Sequence, residues 1–170
     1  MPFIESEIET DAELRANPVD LVEKLASLND WSFERSGVHE LTLVIAGRWA
    51  EYHASFQWMD ELEAFHIACA FDLKIPEARR HEALKLMAII NEQLWLGHFD
   101  LWLDDGVVMY RHALPLAGGA IMSGRQCEAL LSCAIEAIER YYPAFQFVVW
   151  AGKPAREAID ATQFETAGEA

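Results

Sequence analysis

The chain has 170 residues, 52% of them hydrophobic and 11% aromatic, enough to build one folded domain with a sizeable core. Its formal net charge of −15, with only 13 Lys and Arg, argues against nucleic acid or an anionic membrane as partner. Three cysteines without CxxC spacing, no basic-then-apolar leader and no run long enough to span a bilayer make a cytoplasmic protein the expectation.

Residues 1–16 are acidic and lack periodicity, and read as a loosely ordered arm. Asn17-Pro18 then opens a short helix, with Asn17 as cap, Pro18 at its first position and Asp20 in its first turn. From Trp31 to Phe71 the period changes to two. Trp31, Phe33 and Arg35 share a face, Leu41, Leu43 and Ile45 another, then Tyr52, Ala54 and Phe56, then Phe65, Ile67, Cys69 and Phe71. That pattern predicts a four-stranded antiparallel meander, more apolar on one face than on the other.

Pro76 is placed to start a long helix whose buried stripe reads Ala83, Met87, Ile90 and Leu94, with Leu86 and Asn91 on its flanks and Gly97 as its stop. Asp105-Gly106 between two alternating runs signals a hairpin. A two-residue type I′ turn there would set Leu103 opposite Val108 and Asp100 opposite Arg111, with Phe99, Leu101, Leu103, Val108 and Tyr110 on the buried face. Leu114-Pro115 and Gly118-Gly119 read as a loop. Ser123 with Gln126 forms a capping box for a last long helix, which Pro143 should kink or restart before Gly152. Residues 17–152 thus form a single α+β domain in the order α-ββββ-α-ββ-α, and 153–170 a short helical piece and tail.

The chain offers little chemistry. Its six histidines form no HxH or HxxxH pair, and His98, His112 and Asp100 near the hairpin read as strand-end residues rather than metal ligands. Cys127 and Cys133 lie on different sides of one helix and cannot form half a zinc site. Asp104-Asp105 is explained by the turn, and Glu61 and Glu63 by a solvated surface. Ala117-Gly-Gly-Ala120 lacks a phosphate-binding pattern, and no Gly-x-Ser-x-Gly occurs. Two features stand out. Asn91 is an amide beside an apolar stripe, and Ile89 and Leu96 make an apolar ribbon on the other side of the same helix. That ribbon suggests a partner or twin surface.

Several short pieces carry a resemblance to a known family. They are Trp31-Ser-Phe-Glu-Arg35, Gly47-Arg-Trp49 followed by Tyr52, Asn91 leading to Gly97-His-Phe-Asp100, Val108-Met-Tyr-Arg111 and Tyr141-Tyr-Pro-Ala-Phe145. In order and spacing they resemble the YbjN family of bacterial proteins over roughly residues 18–152. The resemblance implies a fold similar to type III secretion chaperones, small acidic proteins that dimerise and hold unfolded partner segments. The family is also described as sensory-transduction regulators, which implies no reaction and no catalytic residues.

The expectation is therefore a non-catalytic, cofactor-free module that captures a partner protein or peptide and forms a homodimer, with Ile89 and Leu96 in its contact surface. The alternative is a small-molecule or enzymatic site between helices and sheet around Asn91 and Arg111.

Overall fold

A computed structural model describes residues 17–167; the acidic arm expected over 1–16 lies outside the described residues. Helix α1 spans Pro18–Leu28 and is followed by strands β1 Ser32–Arg35, β2 Glu40–Ala46, β3 Glu51–Met59 and β4 Ala64–Lys74. Helix α2, Glu77–Gln93, leads to the hairpin of β5 His98–Trp102 and β6 Val107–Pro115. Helix α3, Gly124–Val149, and helix α4, Ala155–Ala167, complete the chain. All six strands make one antiparallel sheet in the order β1-β2-β3-β4-β6-β5.

One row across the sheet shows how its faces divide. Leu43 pairs with Ala54, Ala54 with Cys69, Cys69 with Tyr110 and Tyr110 with Phe99, and all five are buried under the helices. The next row, Thr42, Ser55, Ala68, Arg111 and His98, points to the other face. α1 packs on β2 and β3, α3 on β4 and β6, and α2 on β5, so the helices share the apolar face. The period-two pattern in the sequence is the direct cause.

The expected caps form. Asn17 Oδ1 accepts from Val19 N at 3.0 Å, and the Ser123–Gln126 capping box is complete. Other expectations need correction. Pro76 caps α2 from outside rather than occupying its first turn, and β6 continues through Leu114-Pro115, which pair with Phe65 and Ala64. β3 lies two residues later than the expected Trp49–Gln57, running Glu51–Met59, and β4 continues past Phe71 to Lys74.

The hairpin register also differs. Trp102 pairs with Val107, Asp100 with Met109 and His98 with Arg111, so the turn holds four residues, Leu103 to Gly106. Gly106 alone among them has positive φ, at +69°, so the turn is not type I′, which needs two such residues. Leu103 is 55% exposed rather than buried. A slip of two residues keeps every other side chain on its expected face. Asp100 and Arg111 still meet, now diagonally, at 2.9 Å.

Pro143 does not restart α3, which runs unbroken from Gly124 to Val149. A proline there leaves the Glu139 carbonyl without its helical donor. The Trp49 indole replaces that donor, giving its Nε1–H to Glu139 O at 3.0 Å. Arg48 N donates to the Glu139 carboxylate at 2.6 Å, and the Trp49 ring stacks on Tyr142 at 6.4 Å. A Cβ at Gly47 would fall 1.9 Å from the Tyr52 ring, so the β2–β3 connection needs glycine for this close approach. Two of the pieces that carry the family resemblance are thus halves of one latch between the β2–β3 turn and α3.

Candidate partner groove

Asn91 works on backbone. Its Nδ2 donates to Phe99 O at 3.0 Å and its Oδ1 accepts from Phe99 N at 2.7 Å. Both groups belong to the outer edge of β5, and Asp100 Oδ1 accepts from the next outward amide, Leu101 N, at 2.9 Å. This edge of the sheet is therefore sealed by side chains. Nearby, Tyr110 Oη donates to Leu96 O at 2.8 Å, and a Cβ at Gly97 (φ +67°) would strike that hydroxyl at 2.2 Å. Asn91, Gly97, Phe99 and Tyr110 hold the α2–β5 connection in place.

Arg111 lies on the sheet face that bears no helix among the described residues. Its Nη1 donates to Asp100 Oδ2 at 2.9 Å and its Nε to His66 Nε2 at 3.3 Å. The two residues of the expected small-molecule site are thus engaged separately, Asn91 on β5 backbone and Arg111 on the open face, and the concavity that Arg111 lines does not include Asn91. The open face forms a saddle of about 440 Å³ with a small-residue floor, Ser55, Ala68 and Ala70, and taller Trp102, Met109 and Gln57 around it.

His66 titrates below the ordinary histidine value, chiefly through burial and then through the charges of Arg111, His98 and His112. The folded state favours the neutral ring, so the unfolded chain takes up its proton first on acidification. Stability from this group is present above the ordinary histidine pKa and lost as pH falls through it. Melting temperature should fall between pH 7.5 and about pH 5.5, and His66→Gln, which keeps an acceptor for Arg111, should make the fall shallower. Equal slopes for parent and variant would contradict this assignment. Among the described residues no three His, Cys, Asp or Glu converge as a metal-binding group.

The ribbon expected of Ile89 and Leu96 is broken. α2 ends at Gln93, Leu94 is extended, and Leu96 leaves the helix altogether. Ile89 is half-buried beside Pro154, Ala155 and Arg156, so its face turns toward the chain's own C-terminal helix. Leu86, expected on the flank of the stripe, is fully buried.

A larger concavity opens elsewhere, where the end of α1, the β1–β2 corner and α3 meet. It measures about 700 Å³. Its apolar lining is Trp31, Val44, Ile45, Leu131 and Ile135, and its acidic lining Asp30, Glu128 and Glu136. It is not legible in the sequence because these residues come from three separated segments, 29–32, 44–46 and 128–136. The one legible signal was the acidic excess beside apolar positions on the last long helix.

β1, the other sheet edge, adjoins this groove. Ser36 N bonds Glu40 O at 3.1 Å, which fixes the hydrogen-bonding alternation of the β1–β2 ladder. By that alternation the N–H and C=O groups of Phe33 and Arg35 point outward, and no hydrogen bond to them forms among the described residues. One edge of the sheet is sealed and the other carries bonding groups beside an apolar, acidic-rimmed groove.

An antiparallel sheet with one helix-covered face, in the order described, is an α+β fold of the type III secretion chaperone-like class. The chain belongs to the YbjN family: the family model, described as "Putative bacterial sensory transduction regulator", matches residues 18–147. The crystal structure of YbjN from E. coli is similar in fold, with a TM-score of 0.52 at 10% identity, covering 86% of this chain and 93% of that one. The crystal structure of the ExsC–ExsE complex gives a TM-score of 0.50 at 14% identity, with 75% and 94% covered. No curated protein matches the chain.

Proposed function

We propose that the protein is a non-catalytic, cytoplasmic regulatory module that holds an extended, cationic segment of a partner protein in the groove beside β1. In this reading the module is a homodimer and turns over no substrate. The observation that carries it is the groove itself, an apolar floor under three carboxylates beside a sheet edge that no other described residue pairs with. An extended segment could add main-chain bonds at β1 while alternate side chains enter the groove. Lysine or arginine in that segment would meet Asp30, Glu128 and Glu136, and the net charge of −15 would speed the encounter.

Further features support the absence of turnover. Burial pushes the Cys69 thiol up to about 12 and the Cys127 thiol up to about 11, far from nucleophilic at neutral pH. Arg111, the arginine on the open face, is paired with Asp100. All three cysteines are free, which suits a reducing compartment. Among the described residues no helix is long and apolar enough to cross a membrane. The ExsC–ExsE complex supports the reading only by analogy, as a protein of this fold bound to another protein.

The test is a peptide selection on the intact protein. Selected sequences should alternate apolar residues with Lys or Arg, and their binding should weaken with salt. Ile135→Glu, on the floor, and Glu128→Lys, on the exposed rim, should each weaken binding by about tenfold or more. Acidic selected sequences, or binding indifferent to both variants, would overturn the reading.

A further inference from the structure

Past the end of α2 lies the most exposed aromatic side chain among the described residues. Trp95 is 98% exposed and its neighbour Leu96 is 53% exposed. Beside them lies a concavity of about 260 Å³, room for one large side chain, bounded by Cys133, Ala137 and Tyr141 of α3. We propose that two copies of the chain associate here about a twofold axis, each Trp95 entering the concavity of its twin. The inference rests on the dimeric reading above and names its surface.

A twofold contact requires knob and hole on the same patch, because each copy must present what the other receives. Trp95 and the concavity satisfy that requirement, since Trp95 itself borders it. The rim carries Glu136 and Arg140, four residues apart on α3. An axis crossing α3 between them sets Glu136 of one copy against Arg140 of the other, and the reverse, so the rim is self-complementary in charge. A fully exposed indole is the kind of anchor that dominates protein interfaces once desolvated. The partner groove lies on the other flank of Glu136, so a bound segment and a twin can be held together.

Light scattering on the full chain at about 0.1 mM, enough to populate a dimer of micromolar affinity, should give twice the 19.3 kDa chain mass. Trp95→Ser should give a single chain mass with an unchanged circular dichroism spectrum, since so exposed a side chain contributes little to the fold. Arg140→Glu should weaken the dimer by about tenfold or more, and adding Glu136→Arg should restore it. A dimeric parent whose Trp95→Ser variant stays dimeric overturns the surface and leaves the dimer standing. A monomeric parent overturns both. Peptide capture retained by monomeric Trp95→Ser supports the separateness of the two surfaces.

Discussion

Gly106→Val is expected to destabilise the domain by about 3 kcal/mol or more, through two independent effects. Gly106 has a φ of +69°, a region in which a β-branched residue is strained. An added Cβ would also fall 2.6 Å from the carbonyl oxygen of Ile75. That oxygen cannot simply retreat, because the Ile75 N–H donates to Gly106 O at 2.8 Å and ties the two strands' ends together. For a domain of this size the melting temperature should drop by about 6–12 °C. Gly118 separates the two effects, since it has a φ of +73° with nothing within 4 Å of a Cβ. Gly118→Ala should cost only the backbone strain, about 1 kcal/mol, while Gly106→Ala should cost clearly more. Equal losses at the two positions would show that the Ile75 contact is unimportant. An unchanged melting temperature for Gly106→Val would show that the turn is wrong.

Asn91→Leu is expected to cost about 1–3 kcal/mol, because it leaves both the N–H and the C=O of Phe99 without their partner. Asn91→Asp keeps the acceptor and loses the donor, so it should lie between parent and leucine variant. The measurement is urea denaturation, with a lower midpoint and unchanged slope. Peptide capture by the folded fraction should persist, because Asn91 touches the sealed edge rather than the groove. Full stability combined with lost capture would instead make Asn91 part of a binding site.

These two positions also show which signals a sequence carries. Asn91 and Gly106 both stand out in it, one as a polar residue beside an apolar stripe, the other in an Asp-Gly pair. Their partners do not. Asn91 bonds a strand eight residues on, and Gly106 packs on Ile75 across thirty residues of chain. The meander and the buried face of each strand were legible because alternation is a local property. The hairpin register was not, because turn length depends on where α2 delivers the chain. Even so, an error of two residues preserved the face of every strand residue.

The end of α2 follows the same logic. Gly97 looked like a helix stop, yet the helix ends at Gln93 and Gly97 serves the close approach of Tyr110. That early ending removes Leu96 from the helix and breaks the ribbon it was expected to form with Ile89. It also exposes Trp95, which no periodicity could have singled out. The sequence predicts a kink or restart at Pro143, but α3 continues through it, and Trp49, ninety-four residues earlier, supplies a donor to the freed Glu139 carbonyl. The groove belongs to the same class of hidden feature. Trp31, Val44 and Ile135 each resemble an ordinary half-buried residue until α1, the β1–β2 corner and α3 bring them together.

The most direct test of partner capture beside β1 is hydrogen–deuterium exchange on the protein bound to a selected cationic peptide. Strand addition predicts slowed exchange at the amides of Phe33 and Arg35, which point away from β2, together with protection of residues 128–136 on α3. Protection confined to the open face, at residues 53–57, 66–70 and 107–111, with Phe33 and Arg35 exchanging as in the free protein, would contradict it.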